Sequence, residues 1–326
     1  MLKPIKIFRL FNLLIVFSLA ICVIAQEKKE KSEKSVPTGK PVLWEQVDIS
    51  QRDLFYGPGG KETMPDLSSV TFIKEDTNGH NKKYRIKDGS GRVWVAKLGR
   101  EAQPETAAVR LLWGIGYKTE INYLVPSLTI PGKGTFTNVR LEARPEEVDR
   151  LDEWKWRDNP FIGTNEFQGL KLMMVFFTNW DILDLQNKIL AVDTPNGKEL
   201  DYVISDLGAT FGRLGNNNLF IIYRLGRKTN NPEKYLNANF IDGVKDGRLN
   251  LAYKGKNRDL FNDITVEQGR WLADLLLQLS DKQIEDAFRA ANYSPEDVKL
   301  LAAAVKNKIT ELDRATKQQP ATSTEN

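Results

Sequence analysis

Residues Phe167 to Phe177 are apolar almost all the way round a helix, and the run stops at Thr178-Asn179-Trp180-Asp181. A helix without a polar face has to lie inside a core, so a large part of the chain must wrap it. The 326 residues include one cysteine, Cys22, close to the start. Disulfides therefore cannot hold the fold, and burial of apolar surface has to do so.

The first 25 residues read as a secretory signal peptide. Lys3, Lys6 and Arg9 precede an apolar stretch that closes on Val23-Ile24-Ala25, a basic head, greasy middle and small-residue cleavage site. Cleavage after Ala25 and a periplasmic or secreted protein are the expectation. The stretch is short for a span and is interrupted by Asn12, so a retained membrane anchor is the lesser alternative, and Ile21 argues against lipidation of Cys22. Of 47 Lys and Arg against 43 Asp and Glu, three basic residues leave with the segment, giving a mature net charge of +1. A balance this even gives no reason to expect a nucleic-acid partner.

His80 is the only histidine and sits in a polar turn. Ser/His/Asp hydrolysis and zinc sites built from several imidazoles are thereby disfavoured. Chemistry has to come from carboxylates, lysines, amides or a hard cation held by oxygen.

Residues 26–42 are charged, lack aromatics and contain two prolines, the composition of a tether. The folded part is expected over 43–314, with a polar tail at 315–326. Val70–Ile73, Lys83–Ile86 and Val93–Leu98 are β-rich runs joined by turns at Asn78-Gly79 and Asp88-Gly89-Ser90-Gly91, which predicts an antiparallel meander. A helix is predicted over Pro104–Trp113 with Gly114 as its stop, then strands around 124–130 and 135–142. The core helix leads to strands near 188–192 and 202–205. Asp246-Gly247 should turn a hairpin, and helices should begin after Ser280, with Gln283 three on, and after Ser294, with Pro295 first. The prediction is an α+β, two-lobed architecture: a small antiparallel-sheet part with one helix (43–150) and a larger, mainly helical part (151–314).

Four positions carry chemistry in this scheme. Lys97 ends a strand, on the same side as Val95. Glu105, in the first turn of the next helix, shares a face with Ala108, Val109 and Leu112, so an inward lysine and an inward glutamate can satisfy each other; Glu101 is an alternative partner. Asn179 to Asn187 form a polar loop straight after the buried helix, where a rigid element can hold reactive groups. Asp206-Leu207-Gly208 puts an acid at a strand end with a glycine to turn on.

In this order, Val95-Ala96-Lys97, Glu105, Asn179-Trp180-Asp181 with Gln186 and Asn187, and Asp206-Leu207-Gly208 resemble the protein-kinase-like fold, most nearly its divergent HipA, CotH and phosphoinositide-kinase branches. The resemblance spans about Val70 to Leu301. It implies ATP and magnesium: Lys97 on the nucleotide phosphates, Glu105 orienting Lys97, Asp181 as catalytic base, and Asp206 as a magnesium ligand. The family's loop asparagine falls five residues after the aspartate, where Gln186 stands; Asn187 is one further on, so the second metal ligand is Gln186 or Asn187. Leu207 replaces the usual phenylalanine. A glycine-rich phosphate loop is missing: the first turn holds only Gly79, though its backbone amides could still cradle phosphate, and Phe55–Lys61 is the lesser option for that role. The glycine-rich Phe55–Lys61 segment precedes the first strand and reads as a lead-in loop.

The implied function is an exported phosphotransferase acting on an unknown protein or small-molecule acceptor. The alternative is a pseudokinase that binds without catalysis, for which the Gln186/Asn187 shift speaks. A glycan hydrolase using paired carboxylates and exposed tryptophans is a third reading. Trp154 and Trp156, near the boundary of the two parts, are expected to pack there, with one facing the cleft as the lesser alternative.

Overall fold

The computed structural model describes residues 38–76, 82–214 and 227–317. The signal segment, the turn holding Gly79 and His80, and the last residues of the tail lie outside them. Residues from Gly39 onward form one compact unit.

Its first part is a five-stranded antiparallel sheet in the order β2-β3-β4-β6-β5: β2 Thr71–Asp76, β3 Lys83–Lys87, β4 Val93–Lys97, β5 Asn122–Ile130 and β6 Gly134–Ala143. Alternation decides what each face holds. Tyr84, Ile86, Trp94, Ala96, Val139 and Leu141 build one core. The opposite side of β4 carries Val95 and Lys97, whose register partners are Glu142 and Arg140. The turn between β3 and β4 is closed by Asp88, which accepts from the amides of Ser90 and Arg92 and from Trp94 Nε1, while Gly91 takes φ +88°.

Helix α1, Ala102–Gly114, crosses between β4 and β5. It starts two residues before the predicted Pro104, because first-turn amides have no intrahelical partner and proline is tolerated anywhere among them. Its terminating glycine is Gly116 rather than Gly114. Gly116 has φ +102°, and a Cβ there would lie 2.4 Å from the Glu45 carbonyl oxygen. The lead-in glycines at 57 and 59 are set by close approach to Arg110 and Tyr123, which gives that loop a packing role.

The second part is mainly helical, around α2, Asn165–Phe176. Every residue from Phe167 to Phe176 is buried, as the all-round apolar pattern requires, and Thr164 caps the start by accepting from the Phe167 amide. The two polar side chains in that run are neutralised together, Gln168 and Lys171 both reaching Asp263. A four-stranded sheet lies beside it in the order β1-β9-β8-β7, formed by β1 Lys40–Val42, β7 Asp149–Arg150, β8 Asn187–Thr194 and β9 Gly197–Ile204. β1 pairs parallel with β9, so the last residues of the stretch read as a tether are strand.

Two short antiparallel strand pairs follow: β10 Arg213–Leu214 with β11 Arg227–Lys228, and β12 Ile241–Lys245 with β13 Arg248–Leu251. The latter turns at Asp246-Gly247, both with positive φ. The short α3, Pro232–Leu236, lies between them. Helices α4 Val266–Leu276 and α5 Asp281–Arg289 each begin with a capping box, Thr265/Gln268 and Ser280/Gln283. Gln283 does double service, since its amide also donates to the Ile49 and Arg52 carbonyls. Helix α6, Pro295–Lys317, runs past the predicted end near residue 314. Trp154 and Trp156 are buried, edge to face at 4.9 Å, and pack on Phe167. They are core, as expected, and neither faces a cleft.

On α6, Lys308 is buried over Tyr235 and Phe240 and donates to the Ala238 carbonyl. Burial pushes its ammonium down to about 8. The folded value lies below the unfolded one, so between about 8 and about 10.4 the unfolded chain holds more protons and stability rises with pH. Urea unfolding of Lys308→Met against the parent will show its stability difference moving in the parent's favour between pH 7.5 and 10.5; a difference independent of pH would contradict this placement.

Candidate functional site

A charged side chain at the end of β4 has nowhere to go but inward, because Val95 and the start of α1 cover that face. Lys97 is 2% exposed, and its ammonium lies 2.7 Å from Glu105 Oε2 and 3.0 Å from Asp206 Oδ1. The partner on α1 is thus Glu105. Glu101 instead lies against Gly208, where a Cβ would come within 2.7 Å of its side chain. Burial opposes the Lys97 charge, but Glu105 and Asp206 outweigh it and raise the ammonium above its usual value. Glu105 is fully buried, which pushes its carboxyl up to about 7 against the pull of Arg140 and Lys97.

The other Glu105 oxygen meets Arg140 at 3.1 Å, and Arg140 meets Glu142 at 2.6 Å. Glu142 also pairs with Arg144. Glu120 pairs with Arg150 at 2.7 Å and accepts from the Ser205 hydroxyl at 2.7 Å. Four cations and four carboxylates thereby form one balanced network running from β4 to the residue before Asp206. Burial beside Glu142 pushes Glu120 up to about 7. Glu142 falls the other way because Arg144 and Arg140 more than offset its burial.

Asp206 leaves β9 with Gly208 donating to its Oδ1 at 3.1 Å. Burial would raise its carboxyl, yet Lys97 and the Gly208 amide hold it below the usual range. The backbone amides of Ser205 and Asp206 both donate to the Gln186 carbonyl. The Gln186 side chain then reaches back and donates to Asp181 Oδ2 at 3.0 Å. One residue thus ties the two aspartates together.

Asp181 is presented by the loop leaving α2. Thr178 takes φ +55°, and Asn179 Oδ1 accepts from the Asp181 amide at 2.9 Å, an Asx turn that fixes the carboxylate's direction. Its Oδ1 is paired with Lys256. The Lys256 amide donates to the Trp180 carbonyl and Asn257 Nδ2 to the Ile182 carbonyl, so this segment is laced along the Asp181 loop. Arg227 lies over the Trp180 ring at 4.8 Å, and Trp180 Nε1 donates to Thr229.

Asn187 is directed elsewhere. It is fully buried and donates to the Trp154 carbonyl at 3.0 Å, its Oδ1 having no hydrogen-bond partner. The structure therefore joins Lys97, Glu105, Asp206, Gln186 and Asp181 through direct contacts and sets Asn187 in the floor beneath; Gly79 lies outside the described residues. Sequence reading missed Arg140, Glu142, Glu120, Arg144, Arg150 and Lys256. The first two had a signal, charges at period two in a strand buried on both sides. Lys256 had none, being 75 residues from its partner.

Among the described residues no group of three or more Asp, Glu, His or Cys could hold a metal. Magnesium does not need one, since it takes one or two carboxylates and completes its shell with phosphate oxygens and water. The donor set fits: Asp206 is held ionised, and Gln186, whose NH2 is used on Asp181, keeps its carbonyl oxygen as an acceptor.

Two solved kinases are similar in fold. The proinflammatory kinase CtkA of Helicobacter pylori is 10% identical, with 79% of this chain and 100% of that chain covered and a TM-score of 0.47. The Rio2 kinase of Chaetomium thermophilum, in an ADP/Mg2+–phosphoaspartate complex, is 10% identical over 74% of this chain and 71% of that one, with a TM-score of 0.31. No protein-family model and no curated protein sequence matches the chain.

Removing Arg140 would strand two carboxylates in the interior. Arg140→Leu is expected to lower unfolding stability by about 3–5 kcal/mol. Arg157, whose pair with Asp259 is exposed on both sides, should cost under about 1 kcal/mol when replaced by Leu. Urea denaturation of both variants tests this; equal losses would contradict the buried network.

Proposed function

We propose that this protein is a kinase-like phosphotransferase of the divergent type, exported by its N-terminal segment and acting on ATP with magnesium. The observation that carries the reading is the unbroken contact chain from the buried Lys97–Glu105 pair through Asp206 and Gln186 to Asp181. A pair of acids linked to a fixed lysine is what phosphoryl transfer asks of a protein, since its catalysis rests on positioning and charge neutralisation.

In this reading Lys97 holds the nucleotide phosphates, kept charged and directed by Glu105. Asp206, with Gln186 beside it, would hold magnesium, which when bound neutralises phosphate charge. Asp181 receives the proton of the acceptor hydroxyl as the new oxygen–phosphorus bond forms and ADP departs with the broken bond's electrons. Lys256 holds Asp181 in position and brings a positive charge to the entering phosphoryl group. Asn187 is fully buried in the floor beneath the loop, so the metal role falls to Gln186.

Incubation of the protein with labelled ATP and magnesium is expected to give label transfer that Asp181→Ala and Asp206→Ala each lower by at least about a hundredfold. Lys97→Ala should lose the nucleotide-dependent rise in Tm. Nucleotide stabilisation without transfer would assign the fold to binding alone, and no nucleotide effect would overturn both readings. Export is checked by N-terminal sequencing of the mature protein, with Gln26 as the expected first residue.

A further inference from the structure

The segment that supplies Lys256 to Asp181 also borders a basic cavity. This cavity, of about 400 Å³, is lined by Arg213, Lys234 and Lys254, with Asn237 and Asn239 on its wall and Asp242 as its one carboxylate. Arg213, at the start of β10, and Lys234, in α3, are exposed, and neither side chain has an acid partner among the described residues. Arg213 and Lys234, two exposed cations at one polar cavity, are an arrangement that an anionic ligand relieves.

The cavity and Asp181 share one segment. Lys254 faces the cavity, and two residues on Lys256 pairs with Asp181. Two residues span at most roughly 7 Å of extended chain, which is also the distance between alternate side chains on one face of a peptide strand. A polypeptide lying along this segment in extended form would bring a hydroxyl to Asp181 and a side chain two to four residues away into the cavity.

We infer that the acceptor is an acidic polypeptide segment, its hydroxyl seated beside Asp181 and its neighbouring carboxylates in the cavity formed by Arg213, Lys234 and Lys254. This rests on the phosphotransfer reading for the hydroxyl's fate, while recognition of the acid rests on the cavity. Lys256 pairs with the base, and Lys254, two residues before it, lines the cavity.

The test uses the full chain and three fluorescent peptides that share one central serine and differ only in flanks of Glu, Ala or Lys. Anisotropy without nucleotide is expected to show the Glu peptide binding at least roughly tenfold more tightly than the other two, with the advantage shrinking as salt rises. The double variant Arg213→Glu, Lys234→Glu, both on exposed side chains, is expected to abolish that preference. Equal binding of the three peptides, or an unchanged preference in the double variant, overturns the inference. Selective binding without label transfer from ATP would keep the acidic-peptide site and overturn the phosphotransfer reading; transfer to all three peptides alike would do the reverse.

Discussion

A lysine that is 2% exposed must be neutralised where it stands, and much of this structure follows from Lys97. Its ammonium needs Glu105, which fixes the rotation of α1 against β4. Glu105, itself buried, needs Arg140 on the neighbouring strand. Arg140 brings in Glu142, and Arg144, Arg150 and Glu120 carry the balance across to Ser205. Every member is a potential liability alone and is tolerable only with its partners. The network therefore couples the sheet of the first part to the strand that delivers Asp206.

The acids of the site are set by a different device. Helix α2 is dry on all sides, so the loop leaving it starts from a fixed point, and the Asx turn at Asn179 sets the direction of Asp181. Gln186 then works at both ends, its carbonyl receiving two amides from the Asp206 segment and its side chain meeting Asp181. A glutamine side chain is long enough to make this span. Asn187, one residue on, enters β8 and by strand alternation points beneath the loop.

Lys256 adds a charge that no neighbour in sequence could supply. Among the described residues between Thr210 and Leu260 the chain forms two short antiparallel strand pairs and a short helix, and the return of residues 253–257 along the Asp181 loop is held by hydrogen bonds. Local periodicity is weak in such a stretch, because each piece is too short to bury a face of its own. Lys254, which lines the basic cavity, comes from the same segment.

Local pattern was enough to place the meander, the core helix, the hairpin at Asp246-Gly247 and the caps at Ser280 and Ser294, because each depends on residues within a few positions of one another. It was also enough to bring forward Lys97, Glu105, Asp181 and Asp206 as polar groups at the ends of apolar elements. What it left open was settled by long-range packing: Glu105 over Glu101, the inward turn of Asn187, the arginine–glutamate network and the arrival of Lys256. These are choices among partners distant in sequence, made by burial and charge neutralisation, and they exist only once the elements have closed on one another.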